Sequence, residues 1–166
     1  MEYDVGEIGR KCVGVAEALC LVLCLMLVGC GSGGSETLDP SVATVAGADA
    51  DADDVRDDVE TYIDQTYGDA PTRDALRQFA KAAQRTMLDA ADAGLSATHA
   101  VERFRALECL MARRPDDFPA LFAELRARIL NTTLRTNASL QADGHVAAAT
   151  PSLLPADQWL TACTAP

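Results

Sequence analysis

Five acidic side chains in the amino-terminal half of the chain have a spacing that could bind a cation. Calcium prefers hard oxygen ligands that converge from several carboxylates, and a run of acids at short intervals can supply them. The candidate metal ligands are Asp49, Asp51, Asp53, Asp57 and Glu60.

The spacing of these acids resembles an EF-hand calcium loop, in which they would take the first, third, fifth, ninth and twelfth positions. Two residues depart from that pattern, because Asp54 stands where the loop needs Gly and Arg56 stands where an apolar residue is usual. No helix is predicted before Asp49. A solvated acidic start to a helix is the ordinary explanation. We therefore expect no metal cofactor, and only weak affinity if calcium does bind.

Histidine, the usual general base, occurs only at His99 and His145. Neither lies near a Ser or Cys in a known nucleophile motif, and neither GxSxG nor HExxH occurs in the chain. Glu102 and Glu108 are too far apart in helix phase to form a paired acid/base site by themselves. We predict no catalytic residues and a protein that is not an enzyme, with an enzymatic module kept as an alternative.

An apolar run near the amino terminus ends abruptly at one cysteine. Arg10 and Lys11 precede it, and residues 18–29 are continuously apolar. This run is shorter than the ~20 residues that a helix needs to span a bilayer, and it fits the apolar region of a secretory signal peptide. Cys30 follows, and then the Gly/Ser-rich residues 31–35.

The segment Leu27-Val28-Gly29-Cys30 resembles the lipobox of bacterial lipoproteins. The resemblance implies that residues 1–29 are a signal peptide, that Cys30 receives a diacylglyceryl group, and that its new amino terminus is acylated after cleavage. Two or three acyl chains give stable membrane anchoring, whereas one gives only marginal binding. Because Gly31 rather than Asp follows the cysteine, the resemblance favours the outer over the inner membrane in a Gram-negative host.

The six cysteines are then reduced to one pair in the mature domain. Three leave with the signal peptide and Cys30 is lipidated, so Cys109 and Cys163 remain. Disulfides persist in exported domains, and we predict a Cys109–Cys163 bridge worth about 4 kcal/mol in the chain-entropy model. The alternative is two independent thiols, with Cys109 as a small core residue.

The net charge of −11 is unevenly distributed along the chain. Residues 36–69 hold eleven acids and one base, Arg56, whereas residues 70–166 hold ten acids and eleven bases. No basic stripe is available to neutralise phosphates, so nucleic acid is not an expected partner. The small, polar and acidic composition predicts that residues 30–52 form a flexible tether behind the lipidated cysteine.

Helical periodicity dominates residues 53–166, and no segment alternates as a strand would. We predict an all-α domain, a small bundle of four to five helices after a disordered tether. The predicted helices cover 53–67, 72–93, 97–114 and 118–131, followed by a weak helix at 133–142, a loop at 143–155 and a closing turn at 156–163. Expected caps are Thr72, Ser96 or Thr98, and Asp116 or Asp117, with Gly68 and Gly94 as expected helix ends.

These features predict a lipid-anchored cell-envelope protein whose helical domain binds an envelope or secreted protein, or acts structurally. Alternatives are an inhibitor or immunity-type protein at the envelope, and a weak calcium-binding or enzymatic module. Four arginines of the third predicted helix could face an acidic partner or lipid headgroups, although a solvated face with ordinary ion pairs explains them too. They are Arg103, Arg105, Arg113 and Arg114.

Overall fold

The computed structural model describes residues 40–146 and 151–164, with backbone only for residues 40 and 41. Within these ranges the chain is all-helical and contains no strand, which confirms the predicted fold class. The predicted signal peptide, Cys30 and the first part of the predicted tether lie outside the described residues. No helix in the described ranges is long and apolar enough to cross a membrane.

Six α-helices and one 3-10 helix make up the described part of the chain. The α-helices are α1 (Pro40–Ala43), α2 (Asp57–Thr66), α3 (Ala70–Leu88), α4 (Ala93–Arg113), α5 (Phe118–Ile129) and α6 (Thr133–Val146), and the 3-10 helix η1 spans Ala156–Ala162. Helices α3 and α4 form a hairpin and share the largest interface. Helix α6 packs on both of them, and α2 and α5 pack on α3.

Aspartates, rather than the predicted Thr and Ser residues, begin the two longest helices. The Asp69 carboxylate accepts a hydrogen bond from the Thr72 amide, so Thr72 lies within the first turn of α3. The Asp92 carboxylate accepts from the Leu95 amide, and Gly94 therefore begins α4 instead of ending α3. An Asp at the N-cap both satisfies a free amide and places negative charge at the positive end of the helix dipole.

Helix α2 begins four residues later than the periodicity predicted, because short side chains bind the backbone before it. The Asp49 carboxylate accepts hydrogen bonds from the amides of Asp53 and Asp54. The Asp53 carboxylate accepts from the Val55 amide. Such local bonds compete with helix formation, and Asp54 has a left-handed φ of 71°.

Helix α6 is longer than predicted and runs through Gly144 to Val146. The predicted loop at 143–155 is therefore wrong for its first four residues. Arg135, Ala138, Ala142 and Val146 are buried at helical spacing. Packing of this face against the bundle outweighs the helix cost of one Gly, about 1 kcal/mol.

The core is built from aliphatic residues and closely packed alanines. Leu76, Leu110 and Leu125 are completely buried, and each such side chain contributes roughly 2 kcal/mol relative to exposure. Phe79 of α3 packs edge-to-face on Phe122 of α5, with centroids 5.1 Å apart. Small side chains let the helix backbones approach closely; they include Ala75, Ala80, Ala83, Ala90, Ala106, Ala138 and Ala142.

A carboxy-terminal strap, residues 151–164, closes the domain. It contains η1, and the predicted Cys109–Cys163 disulfide is confirmed, joining its end to the middle of α4. The Trp159 indole donates to the Leu154 carbonyl within the strap. The strap therefore lies against α4 as a short, covalently attached segment.

Candidate functional site

A groove of about 600 Å³ runs between α3 and α4. Both walls are successive turns of the two helices, so residues three and four positions apart on each helix line the same side of the groove. Helix α3 contributes Gln78, Lys81, Ala82 and Arg85; helix α4 contributes Thr98, Val101, Glu102 and Arg105; the strap contributes Thr164 at one end.

The groove combines an apolar surface with a rim of charges. Val101 is 43% exposed and so offers apolar surface to the groove. Lys81, Arg85 and Arg105 bring three cations to the lining, against one carboxylate, Glu102. A concave surface with a few convergent polar groups is the usual form of a binding site.

The acidic loop before α2 lies along one side of the groove. Lys81 donates to the Asp53 carbonyl over 2.7 Å, and Arg85 donates to the Asp54 carboxylate over 2.8 Å. The left-handed backbone at Asp54 aims its carboxylate at these cations. The lining cations are therefore held in place by loop residues that remain about 40% exposed.

A buried carboxylate, Glu108, holds Arg105 in place on the α4 wall of the groove. Glu108 is fully buried, and both of its oxygens accept from Arg105 Nη1 over 2.7 Å. The same carboxylate accepts from the Leu154 amide of the strap. Because Arg105 lines the groove, Glu108 connects the groove directly to the strap.

His99 lies behind the groove, between two carboxylates. Its Nε2 is 2.9 Å from Asp89 Oδ2, and its Nδ1 is 3.2 Å from Glu102 Oε2. The ring is 9% exposed. Both ring nitrogens are thus occupied by protein carboxylates, and neither is directed at a ligand in the groove. His145 lies exposed in the last turn of α6.

The structure brings together three of the five predicted metal ligands. Carboxylate oxygens of Asp49, Asp51 and Asp53 lie within 4.8 Å of one another. The two others have different partners, since Asp57 accepts from the Ala50 amide and Glu60 pairs with Arg77.

Glu60, the last of the five candidate metal ligands, has a shifted pKa. Partial burial raises the pKa of Glu60 above its ordinary value, and repulsion from Asp53 and Asp51 adds to the shift, against the hydrogen bond from Arg77. Both oxygens of Asp49 already accept backbone amides. A calcium ion at the cluster would have to share that carboxylate with the loop backbone.

Two buried arginines fasten the acidic loop to the bundle. Arg56 donates to the Ile129 and Arg128 carbonyls at the end of α5 and forms a two-point ion pair with Asp58. Arg135 donates to the Thr44 and Val45 carbonyls. Residues 44 and 45, which composition assigns to the tether, are therefore hydrogen-bonded to the helices.

The two buried arginines also shift pKa values, that of Arg135 itself and that of Asp58. Burial lowers the pKa of Arg135, and repulsion from Arg56 adds to that shift while Asp58 opposes it. Burial alone would raise the pKa of Asp58, but the hydrogen bond and charge of Arg56, together with the charge of Arg135, hold it below its ordinary value. Asp58 is thus the counterion shared by two buried guanidinium groups.

Sequence reasoning missed most of the residues that define this site. The lone base in the acidic run, Arg56, and the charged Glu108 inside an apolar run are signals that could have indicated buried ion pairs. Of the four arginines that the sequence placed on the third predicted helix, Arg103 pairs with Asp143 and Arg114 with Asp117. Arg105 lines the groove, and Arg113 is exposed without an ion pair in the described part of the chain.

No protein-family model matches this chain, and neither the curated proteins nor the solved structures contain a match to it. The function of the protein is therefore inferred from the residues of the site.

Proposed function

We propose that the protein is a lipid-anchored cell-envelope module whose helical domain binds a segment of a partner protein in the α3–α4 groove. Three features support the proposal: the resemblance of residues 27–30 to a lipobox, the flexible composition of the residues that follow, and the groove that Val101 lines. The groove carries most weight, because it offers apolar surface that neither helix covers.

The lining favours an apolar segment with acidic neighbours. Val101 and Ala82 offer contact to an aliphatic or aromatic side chain. A few well-buried anchors of this kind together contribute most of the affinity of an interface. The three lining cations exceed the one lining carboxylate, so an acidic flank on the partner is complementary to the groove. Arg85 pairs with the surface carboxylate of Asp54, which a ligand can displace or join, whereas Lys81 donates to the Asp53 carbonyl and Arg105 pairs with buried Glu108.

Binding rather than catalysis is supported by the contacts of His99. A general base must reach the proton that it removes, and both nitrogens of His99 face Asp89 and Glu102 instead. Because His99 is itself held by Asp89, its contact with Glu102 keeps that carboxylate in place on the groove wall. This arrangement suits a positioning role for His99.

The anchor would keep the groove near the membrane. Helix α1 begins at Pro40, so residues 31–39 would serve as the spacer from the lipidated Cys30. A flexible spacer of this length has a root-mean-square span of roughly 17 Å. A partner would therefore lie in, on or close to the same membrane.

The mass of the intact protein extracted from host membranes tests the anchor. We expect a chain that begins at Cys30 and carries acyl chains, and a Cys30→Ser variant that keeps its leader and lacks them. An unprocessed, unlipidated wild-type chain would overturn the lipid-anchored part of the proposal.

A photo-crosslinking amino acid at Thr98, at the groove, tests binding in host membranes. We expect one crosslinked partner band that Val101→Asp reduces about 10-fold, a loss of the size expected for one hot-spot contact. Leu134→Asp is the matched control, because Leu134 is 51% exposed on α6 and does not line the groove. Equal capture by both variants would contradict the proposal.

A further inference from the structure

We propose that the Cys109–Cys163 disulfide is a redox latch, which holds the carboxy-terminal strap as the end wall of the α3–α4 groove and releases it when a thiol reductant opens the bond. The consequence for binding rests on the function proposed above. Release of the strap itself does not depend on that function.

Apart from the disulfide, the strap packs along α4 through η1 but buries few of its side chains. Ala162 is its only buried residue within 151–164, while Leu153 and Leu160 are 51% and 56% exposed. Every residue of the buried core cluster precedes the strap, and Cys163 only packs against its edge. Few buried apolar contacts make a segment prone to local opening.

Three hydrogen bonds join the strap to the bundle. The Leu154 amide donates to Glu108, the Gln78 amide group donates to the Ala162 carbonyl, and the Thr164 amide donates to Gln78 Oε1. Each such bond adds only about 1 kcal/mol net. The disulfide, by contrast, closes the loop between residues 109 and 163 and so raises the effective concentration of the strap at α4.

The same contacts connect the strap to the groove. Gln78 and Thr164 both line the groove, so the strap's last hydrogen bond closes one end of it. Glu108 bridges the strap to Arg105 on the opposite wall. Detachment of the strap would remove Thr164 from the groove lining and free the Gln78 side-chain amide. The Arg105–Glu108 pair would also lose its hydrogen bond from the Leu154 amide of the strap.

The chemistry is ordinary thiol–disulfide exchange with a dithiol as reductant. Cys163 is the accessible end, because Cys109 is 1% exposed whereas Cys163 is only partly buried. A reductant thiolate attacks the Cys163 sulfur, and the Cys109 sulfur leaves as a thiolate that takes up a proton. The second thiol of the reductant then displaces Cys163, so the reductant becomes a disulfide and the protein gains two electrons and two protons.

The single tryptophan of the chain, Trp159, lies on the strap and reports its position. Full-length oxidised protein in detergent would be treated with dithiothreitol while tryptophan emission and helical circular dichroism are recorded together. We expect the emission to shift to longer wavelength, as the half-buried indole enters water, while most of the helical signal is retained. A mass gain of two hydrogens confirms that the bond has opened.

Two results would overturn the latch. Unchanged emission in a chain whose thiols are shown to be free would mean that the strap stays docked without the bond. Loss of helical signal together with the emission shift would mean that the disulfide simply stabilises the whole domain. The double variant Cys109→Ser/Cys163→Ser should show the reduced emission from the start and no response to dithiothreitol, and a response from it would also contradict the proposal.

The effect on the groove is measured separately by repeating the Thr98 crosslink on reduced protein. We expect several-fold less capture of the partner than with oxidised protein. Equal capture in both states would disprove control of the groove, while the emission shift still decides whether the strap is released. No capture in either state would contradict the proposed function alone.

Discussion

Two irregular segments flank the α3–α4 groove, and they are attached by opposite means. The amino-terminal loop, residues 44–56, is held by buried polar contacts, chiefly those of Arg56 and Arg135. The carboxy-terminal strap has little burial and depends on the Cys109–Cys163 bond. A non-covalent attachment therefore needs many satisfied buried groups, whereas a segment attached by a covalent bond is free to open when that bond is cut.

The largest effect is expected from breaking the arginine attachment. Arg56→Met leaves the Ile129 and Arg128 carbonyls and the Asp58 carboxylate without their donor, and should lower the free energy of unfolding by about 3 kcal/mol. Urea unfolding of the full-length protein measures this loss. Arg126→Met, at an exposed arginine in the last turn of α5, is the control and should change stability by less than about 0.5 kcal/mol. Similar losses for both variants would contradict a special role for the buried guanidinium.

A glycine beneath the two arginines should give the next largest effect. Gly47 has a φ of 71°, and a Cβ there would lie 2.6 Å from Arg56 Cδ and 2.7 Å from Arg135 Nη2. Gly47→Ala should therefore destabilise the protein by about 2 kcal/mol, through backbone strain and displacement of the arginines.

A second glycine supplies a control of opposite sign. Gly144 is helical, and a Cβ there would meet nothing within 4 Å, so Gly144→Ala should stabilise the protein by about 0.5 kcal/mol. Thermal melts of both variants decide the comparison. A stable Gly47→Ala variant would show that the arginines have room to move.

The smallest of the three expected losses of stability is at Asp58, and it depends on pH. Because the pKa of Asp58 is lowered in the folded state, its stabilising contribution is complete above the unfolded value of 3.8 and is lost as pH falls through the lower, folded value. Asp58→Asn should cost about 1 kcal/mol at pH 7, a modest loss because the carboxylate is partly exposed. Urea unfolding from pH 6 to pH 2.5 should show the two proteins converging at the acid end. A difference that stays constant with pH would contradict the ion-pair explanation.

The sequence predicted the helical parts of this fold far better than the two flanking segments. The apolar spacing in α3, α4 and α5 reports burial directly, and Pro119 in the first turn of α5 marks where that helix begins. The disulfide was predicted from the two cysteines that lie beyond the predicted leader and Cys30. These are local signals, which a single sequence retains.

The groove and the loop could not be predicted in the same way, because both depend on contacts between distant residues. Arg56 reaches carbonyls 72 and 73 residues away, and Gln78 reaches the strap 84 residues later. Composition assigned residues 44–52 to a tether, since acids and small residues usually solvate a chain. Only the paired arginines show why the end of this stretch is ordered.

Hydrogen–deuterium exchange of the full-length protein, with and without dithiothreitol, tests most directly whether the two segments are attached independently. We expect reduction to speed exchange in peptides from residues 151–164 and to leave peptides from residues 44–56 unchanged. Arg56→Met in the oxidised state should give the reverse pattern. Faster exchange in both segments after reduction alone would contradict the account, because it would mean that one cooperative unit, rather than two separate attachments, frames the groove.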